Sequence, residues 1–316
     1  MALSNQTIPS QITLIKGGGP GPTVVILGGT HGDELVGIRV VKMLLKNFGI
    51  TNENGGDIVE NMTVFGEIFI GLGNIAAIAI NKRAASTGRD LNRSFIQKEL
   101  DNPPLPDDRP DLTRARELSP ILAKADYLFD IHSTSSESQP FVCFGHLVAG
   151  HKPLYSALPV KIVLTDPDKI LGADDGLDEP GTTDGYVLAH GGIPIVYETG
   201  LDTDVAKSAT VFNEILGLLR IVGSIPANGE LLATKNDGPT VFKITHNIAA
   251  KGNHFTFEPT LKTGWLPIAA GQLVGRYENG LEEHSPADGM LIFPRAEHKI
   301  TAGKNLYFIA VRVDDN

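Results

Sequence analysis

Thr23-Val-Val-Ile-Leu27 is an unbroken apolar run that ends in Gly28-Gly29, and helical spacing follows at Leu35, Ile38, Val41, Leu44 and Leu45. A strand without polar alternation needs cover on both faces, which a parallel sheet flanked by helices supplies. The spacing therefore predicts a strand, a tight turn and a helix over Asp33 to Phe48. Val64 to Leu72, Tyr127 to Ile131, Lys161 to Leu164 and Ile193 to Tyr197 read as further strands of the same kind, with helices at Thr113 to Ala125 and Asp204 to Ile221. The fold class is α/β.

After Ile221 the texture changes. Ser224-Ile-Pro-Ala-Asn-Gly229 reads as a turn-rich linker, and beyond it short runs at Thr240 to Thr245, His254 to Phe257 and Leu306 to Val311 alternate with Gly, Pro and Asn. That pattern predicts two domains, an α/β unit over 1–223 and a β-rich unit over 224–316. Two loops interrupt the first unit, at Asp101 to Asp111 and over the acidic stretch Asp166 to Asp184, which is long enough to wall a site.

The net charge is −10, so no basic excess exists for phosphates or anionic headgroups, and neither nucleic acid nor a membrane surface is expected as a partner. No segment approaches the ~20 apolar residues of a membrane span. Met1 to Lys16 lacks the apolar core of a secretory signal, and the single cysteine, Cys143, excludes an intrachain disulfide; both predict a cytoplasmic protein. One cysteine also excludes a thiolate cage, so any metal must be held by histidine and carboxylate.

His31-Gly-Asp-Glu34 stands where the first strand gives way to its helix, an edge of open α/β sheets at which ligands bind. A His and a Glu three residues apart in a first helical turn project to one side and form an ordinary zinc pair. Glu34 could equally serve the helix N-terminus, and the glycines an anion-binding turn. Phe129-Asp-Ile-His132-Ser-Thr134 brings a second His to a strand end. Two such histidines and one carboxylate, without usable cysteines, are better explained as a three-ligand zinc site with an open position than as packed residues. Glu198, in Tyr197-Glu-Thr-Gly200, ends another core strand and is the candidate base; capping or lysine pairing is its alternative role. Arg83, Arg89 and Arg93 fall within eleven residues of a chain with eleven arginines, which suggests recognition of a substrate carboxylate; a solvated charged face is the alternative.

In order and spacing, His31-Gly-Asp-Glu34, Gly73-Asn74 followed by Arg83, Asp90-Leu-Asn-Arg93-Ser-Phe95, Asp130-Ile-His132-Ser-Thr134 and Glu198-Thr-Gly200 resemble the succinylglutamate desuccinylase/aspartoacylase family, relatives of the zinc carboxypeptidases. The resemblance covers roughly residues 20–205. It implies a zinc-carboxypeptidase-like α/β/α sandwich with a C-terminal all-β domain, one Zn2+ on His31, Glu34 and His132, and Glu198 as general base and proton shuttle. Arg83 is similar to the arginine that polarises the scissile carbonyl, and Asn92 and Arg93 to the pair that holds the carboxylate of a small N-acyl amino acid.

Three departures stand out: Asp33 where the family has Asn, two extra residues between Arg83 and Asn92, and no arginine from Ser133 to Asp204, where members acting on acetylaspartate carry one. Asp174, Asp175, Asp178 and Glu179 instead predict an acidic wall and a substrate side chain that is neutral or cationic. The tail, through Gly275-Arg-Tyr277 and His284 to Pro294, resembles a lipoyl-type hairpin without the modified lysine, which implies capping of the site or a homo-oligomer contact. Two rivals remain at this level: a carboxypeptidase acting on short peptides, and a non-catalytic protein binding an anionic metabolite. Nucleotide binding through Gly17 to Gly21 is disfavoured, because those glycines precede the first core strand and no Walker or dinucleotide fingerprint follows.

Overall fold

The computed structural model describes residues 8–53, 55–86, 89–105, 109–135, 138–171, 181–227 and 238–313. The acidic run with Asp174, Asp175, Asp178 and Glu179 lies outside the described residues, as does the end of the Ser224 linker. In chain order the strands of the α/β part are β1 (Ile12–Gly28), β2 (Ile58–Leu72), β3 (Tyr127–Thr134), β4 (Phe141–Phe144), β5 (Ile162–Thr165) and β6 (Ile193–Leu201). The helices are α1 (Leu35–Asn47), α2 (Ile75–Ala79), α3 (Gln97–Asp101), α4 (Pro110–Leu122), α5 (His151–Tyr155), α6 (Thr183–Ala189) and α7 (Ser208–Ile221). Past α7 come β7 (Thr240–Ala249), β8 (Phe255–Phe257), β9 (Leu266–Ile268), β10 (Leu273–Tyr277), β11 (Glu282–His284), β12 (Gly289–Ile292) and β13 (Asn305–Arg312). No helix among the described residues is long and apolar enough to cross a membrane.

Among the described residues the main sheet has ten strands in the order β2-β1-β3-β6-β4-β5-β7-β13-β12-β9. Its first four are mutually parallel, and β4 pairs antiparallel with β6, so the sheet reverses direction there. Val24 and Ile26 of β1 pack in one apolar cluster with Val36 and Val41 of α1 and Ile215 and Leu218 of α7. Val25 and Leu27 pack in the opposite cluster with Leu118 and Leu122 of α4 and Val187 of α6. Both faces are thus covered by helices, which is why the run carries no polar alternation.

The C-terminal region is β-rich, and its strands continue the main sheet: β7 pairs parallel with β5, and β13, β12 and β9 follow antiparallel. Phe141, Ile162 and Leu164 share one buried cluster with Ile244, Ile292 and Phe308. Sheet and core therefore run through the 223/224 division, and among the described residues only β8, β10 and β11 form a separate small sheet. Gly17 to Gly21, read from the sequence as preceding the first strand, lie inside β1; a Cβ on Gly17 would come 2.4 Å from the Val64 carbonyl oxygen on β2.

Two glycines set the approach of α1 to the sheet. A Cβ on Gly28 would stand 2.2 Å from the Gly37 carbonyl oxygen, and one on Gly37 2.5 Å from that of Ile131. With neither Cβ present, the start of α1 seats directly on the ends of β1 and β3, and the segment between Gly28 and Leu35 is held at the sheet edge.

Candidate metal and catalytic site

His31 and Glu34 do not lie in a helical turn as their spacing predicts. They stand in the turn before α1, where the Glu34 amide donates to the His31 carbonyl at 3.3 Å and Glu34 is the N-cap residue. The expected side-by-side arrangement survives: His31 Nδ1 lies 2.7 Å from Glu34 Oε1. His132, near the end of β3, puts its Nδ1 3.0 Å from Glu34 Oε2, and the Ser133 amide donates to that same oxygen at 3.0 Å. The two imidazoles meet edge-on with ring centroids 4.8 Å apart. All three side chains are buried, and one ligand atom from each lies within 4.8 Å of the others.

The second nitrogen of each ring faces a further buried carboxylate. His132 Nε2 is 3.2 Å from Asp130 Oδ2, off the direction of a good hydrogen bond, and His31 Nε2 is 3.6 Å from Asp90 Oδ2. A carboxylate behind a histidine holds the proton on the outer nitrogen and leaves the inner one bare for a metal. Asp130 is itself fixed by the hydroxyls of Thr30 and Thr183, each donating at 2.7 Å. The donor set and its supports thus fit a divalent metal, and zinc in particular.

Burial works to raise the Glu34 carboxyl, but the imidazoles of His31 and His132 outweigh it and hold it well below the usual carboxylate range. Burial opposes the charged form of His132 as well, yet Asp130 and Glu34 push its titration well above that of a free imidazole. Glu198 behaves oppositely. Its strand β6 lies beside β3 with Glu198 opposite His132, so both side chains rise from the same face. Burial pushes its carboxyl up to about 7, with His132 opposing and Glu34 adding to the rise, and its Oε2 has no hydrogen-bond partner.

Two of the three clustered arginines, Arg83 and Arg93, converge on the same place. Arg83 Nε donates to Asp90 Oδ2 at 2.8 Å while about half of its side chain stays exposed, so Asp90 lies between Arg83 and His31. Asn92 is buried in the short 3-10 turn Leu91–Arg93; its Oδ1 accepts from the Thr183 amide at 2.9 Å, and the Arg93 guanidinium donates to its backbone carbonyl at 2.7 Å. Thr183 therefore touches both Asp130 and Asn92. Arg89 instead pairs with Glu99 at 2.7 Å, whereas His31, Glu34, Arg83, Asn92, Arg93, His132 and Glu198 gather at one end of the parallel strands.

Asp90, Asp130, Thr30 and Thr183 were not singled out individually. Asp130 carried a signal, since it stands two residues before His132 on one strand and therefore on one face. Thr183 carried none: it enters from α6, a helix that the sequence pattern does not announce. Of the acidic stretch, Asp166, Asp168 and Asp184 are within the described residues: Asp184 Oδ2 accepts from Gly145 and Asp166 from Ile170 and Leu171, all at 2.8 Å, and Asp168 pairs with Lys243 at 2.7 Å. Burial, with Asp184, Glu198 and Asp166 nearby, raises Cys143 so that it stays a thiol.

Residues 20–154 match the model of the succinylglutamate desuccinylase/aspartoacylase catalytic domain. Over 121 residues the chain is 32% identical to the N-acyl-aromatic-L-amino acid amidohydrolase (carboxylate-forming) of Rattus norvegicus, covering 36% of this chain and 34% of the relative. The chain thus matches about a third of the length of that curated relative. Among solved structures, a succinylglutamate desuccinylase/aspartoacylase from Rhodobacter sphaeroides superposes with a TM-score of 0.70 at 21% identity, over 96% of this chain and 88% of the other. Murine aminoacylase 3 superposes with a TM-score of 0.66 at 18% identity, over 93% and 97%. These likenesses show the α/β fold with its β-rich C-terminal region.

Proposed function

We propose that the chain, which matches the succinylglutamate desuccinylase/aspartoacylase catalytic domain through residues 20–154, is a member of that family and hydrolyses the amide bond of small N-acyl amino acids. The observation that carries the reading is Glu198, whose Oε2 has no hydrogen-bond partner and whose carboxyl is pushed by burial up to about 7, beside the buried His31, Glu34 and His132 group. Such a carboxyl can both take and return a proton near neutral pH.

His31, Glu34 and His132 would hold one Zn2+, which supplies a Lewis acid and lowers the pKa of a water toward ~7. Glu198 takes the proton of the attacking water and returns it to the leaving nitrogen, so that the amine departs neutral. Arg83, steadied through its Nε by Asp90, offers its exposed guanidinium nitrogens to the carbonyl oxygen as charge develops there. Asn92 and Arg93 grip the substrate carboxylate and fix the amide's position. Asp130, Thr30 and Thr183 keep the His132 ring in place.

The test is amide hydrolysis followed by HPLC over a panel of N-acetyl amino acids and short peptides. Turnover of N-acetyl amino acids that vanishes in Glu198→Gln supports the proposal. Cleavage of peptides alone would make the chain a carboxypeptidase, and no cleavage of either would leave it a binding protein.

A further inference from the structure

Asp111, in the first turn of α4, is a buried acid that no step of the mechanism above uses. Three donors from outside α4 converge on its carboxyl. Asn74 Nδ2 donates to Oδ1 at 2.7 Å and the Ala85 amide to the same oxygen at 3.3 Å, while Ser86 Oγ donates to Oδ2 at 2.8 Å. All three donors are neutral. Hydrogen bonds and the N-terminal end of α4, rather than a countercharge among these partners, therefore compensate the burial of the acid.

These partners bracket Arg83. On one side Asn74 caps α2, accepting from the Ala77 amide at 3.2 Å, and its own amide donates at 2.9 Å to the carbonyl of Gly29, two residues before His31. On the other, Ala85 and Ser86 follow Arg83 almost at once. Residues 81–86 form no helix or strand and are exposed or half-buried, so packing does little to fix them. The Arg83 carbonyl accepts from the Gly32 amide, beside His31, at 3.4 Å, and Asp90 holds the head of the arginine through Nε. Asp111 holds the backbone behind it.

We propose that Asp111 is a positioning residue for Arg83: its buried carboxyl braces residues 81–86 against the α2 cap and so sets where the guanidinium stands beside the His31, Glu34 and His132 group. The proposal rests on the amide-hydrolase reading above and deepens it. Arg83 can lower the barrier only where its free nitrogens meet the oxygen on which charge develops, and misplacement by about 1 Å can cost ~10²-fold in rate. A side chain more than half exposed gains no such precision from packing. Two anchors supply it, one on the head and one on the backbone. The three bonds of Asp111 reach the chemistry only through this segment, so their loss should matter only while Arg83 is present.

The experiment is a double-mutant cycle of Asp111→Ala with Arg83→Ala, read by hydrolysis of the N-acetyl amino acid turned over fastest. Asp111→Ala should lower kcat about tenfold, with KM within about twofold and zinc content unchanged, and the loss should shrink below about twofold in the Arg83→Ala background. Asp111→Asn keeps an acceptor for Asn74 and Ala85 and should restore most of the rate. No fall in Asp111→Ala, an equal fall in both backgrounds, or a loss of zinc overturns the proposal; the last would assign the brace to the His31 turn instead. If Asp111→Ala fails to fold, Ser86→Ala replaces it in the cycle, with an expected fall of about threefold and the same contrary outcomes. Hydrogen exchange gives a reading independent of turnover. By mass spectrometry of a peptide spanning 81–86, the Ala85 amide should exchange about tenfold faster in the folded variant than in the wild type, with β3 unchanged. Equal exchange in 81–86 overturns the proposal. Absence of hydrolysis by the wild type would sink the enzymatic reading, and the exchange would still decide whether Asp111 holds the Arg83 segment.

Discussion

Replacing Glu198 by Gln in the metal-free protein should increase stability at pH 8 and leave it nearly unchanged at pH 4.5. Burial raises the carboxyl in the folded chain to about 7, against 4.5 for the unfolded one. A raised pKa means that the folded state binds the proton more tightly, so the stabilising contribution is fully present below 4.5 and is lost as pH rises through 7. At about 1.4 kcal/mol per pH unit, the ionised carboxylate costs the fold about 3 kcal/mol at pH 8. Gln mimics the protonated acid and does not titrate, so the variant escapes that loss. Urea denaturation of both proteins in chelator, at pH 4.5, 6 and 8, measures the difference as a shift in midpoint at constant slope. The gap should open between pH 4.5 and 8 in favour of Gln. A gap that stays constant with pH, or one that favours Glu at pH 8, would refute the idea that burial sets the character of Glu198.

Three further outcomes follow from the same geometry. Arg83→Ala should lower kcat by about 10²–10³ with little change in metal content, and an unaltered kcat would remove Arg83 from the carbonyl. Thr183→Val deletes a 2.7 Å hydrogen bond to the buried Asp130, a charge-assisted bond worth about 1.5–3 kcal/mol, while Thr183→Ser keeps it; equal urea midpoints for Val and Ser would contradict that role. A chain ending at residue 223 would leave the β7-facing edge of β5 unpaired and strip Ile244, Ile292 and Phe308 from Phe141, Ile162 and Leu164. It should aggregate in size-exclusion chromatography, and a folded monodisperse fragment would show that 1–223 is an independent domain after all.

The parallel core was legible because its strands are apolar on both faces, as at Val24 to Leu27, and because α1 and α7 bury stripes of helical period. β4 was missed: its four residues are too short for a period to register, and its antiparallel pairing with β6 is a long-range choice. The C-terminal strands were visible as β-rich texture. Their joining of the main sheet was not, since edge pairing between β5 and β7 leaves no mark in either strand's own sequence. Within the site, the residues with unusual chemistry at strand ends, His31, His132 and Glu198, could be found from position alone. The residues that hold them could not all be found that way, because hydrogen bonds such as Thr183 to Asp130 span 53 residues and belong to common residue types.

The most direct measurement of the central claim is metal content and turnover in the same samples of wild type, His132→Ala and Glu198→Gln, by elemental analysis and amide hydrolysis. One zinc per chain with turnover in the wild type, loss of both in His132→Ala, and full metal without turnover in Glu198→Gln is the expected result. Undiminished zinc in His132→Ala, or turnover in a fully stripped protein, would contradict it.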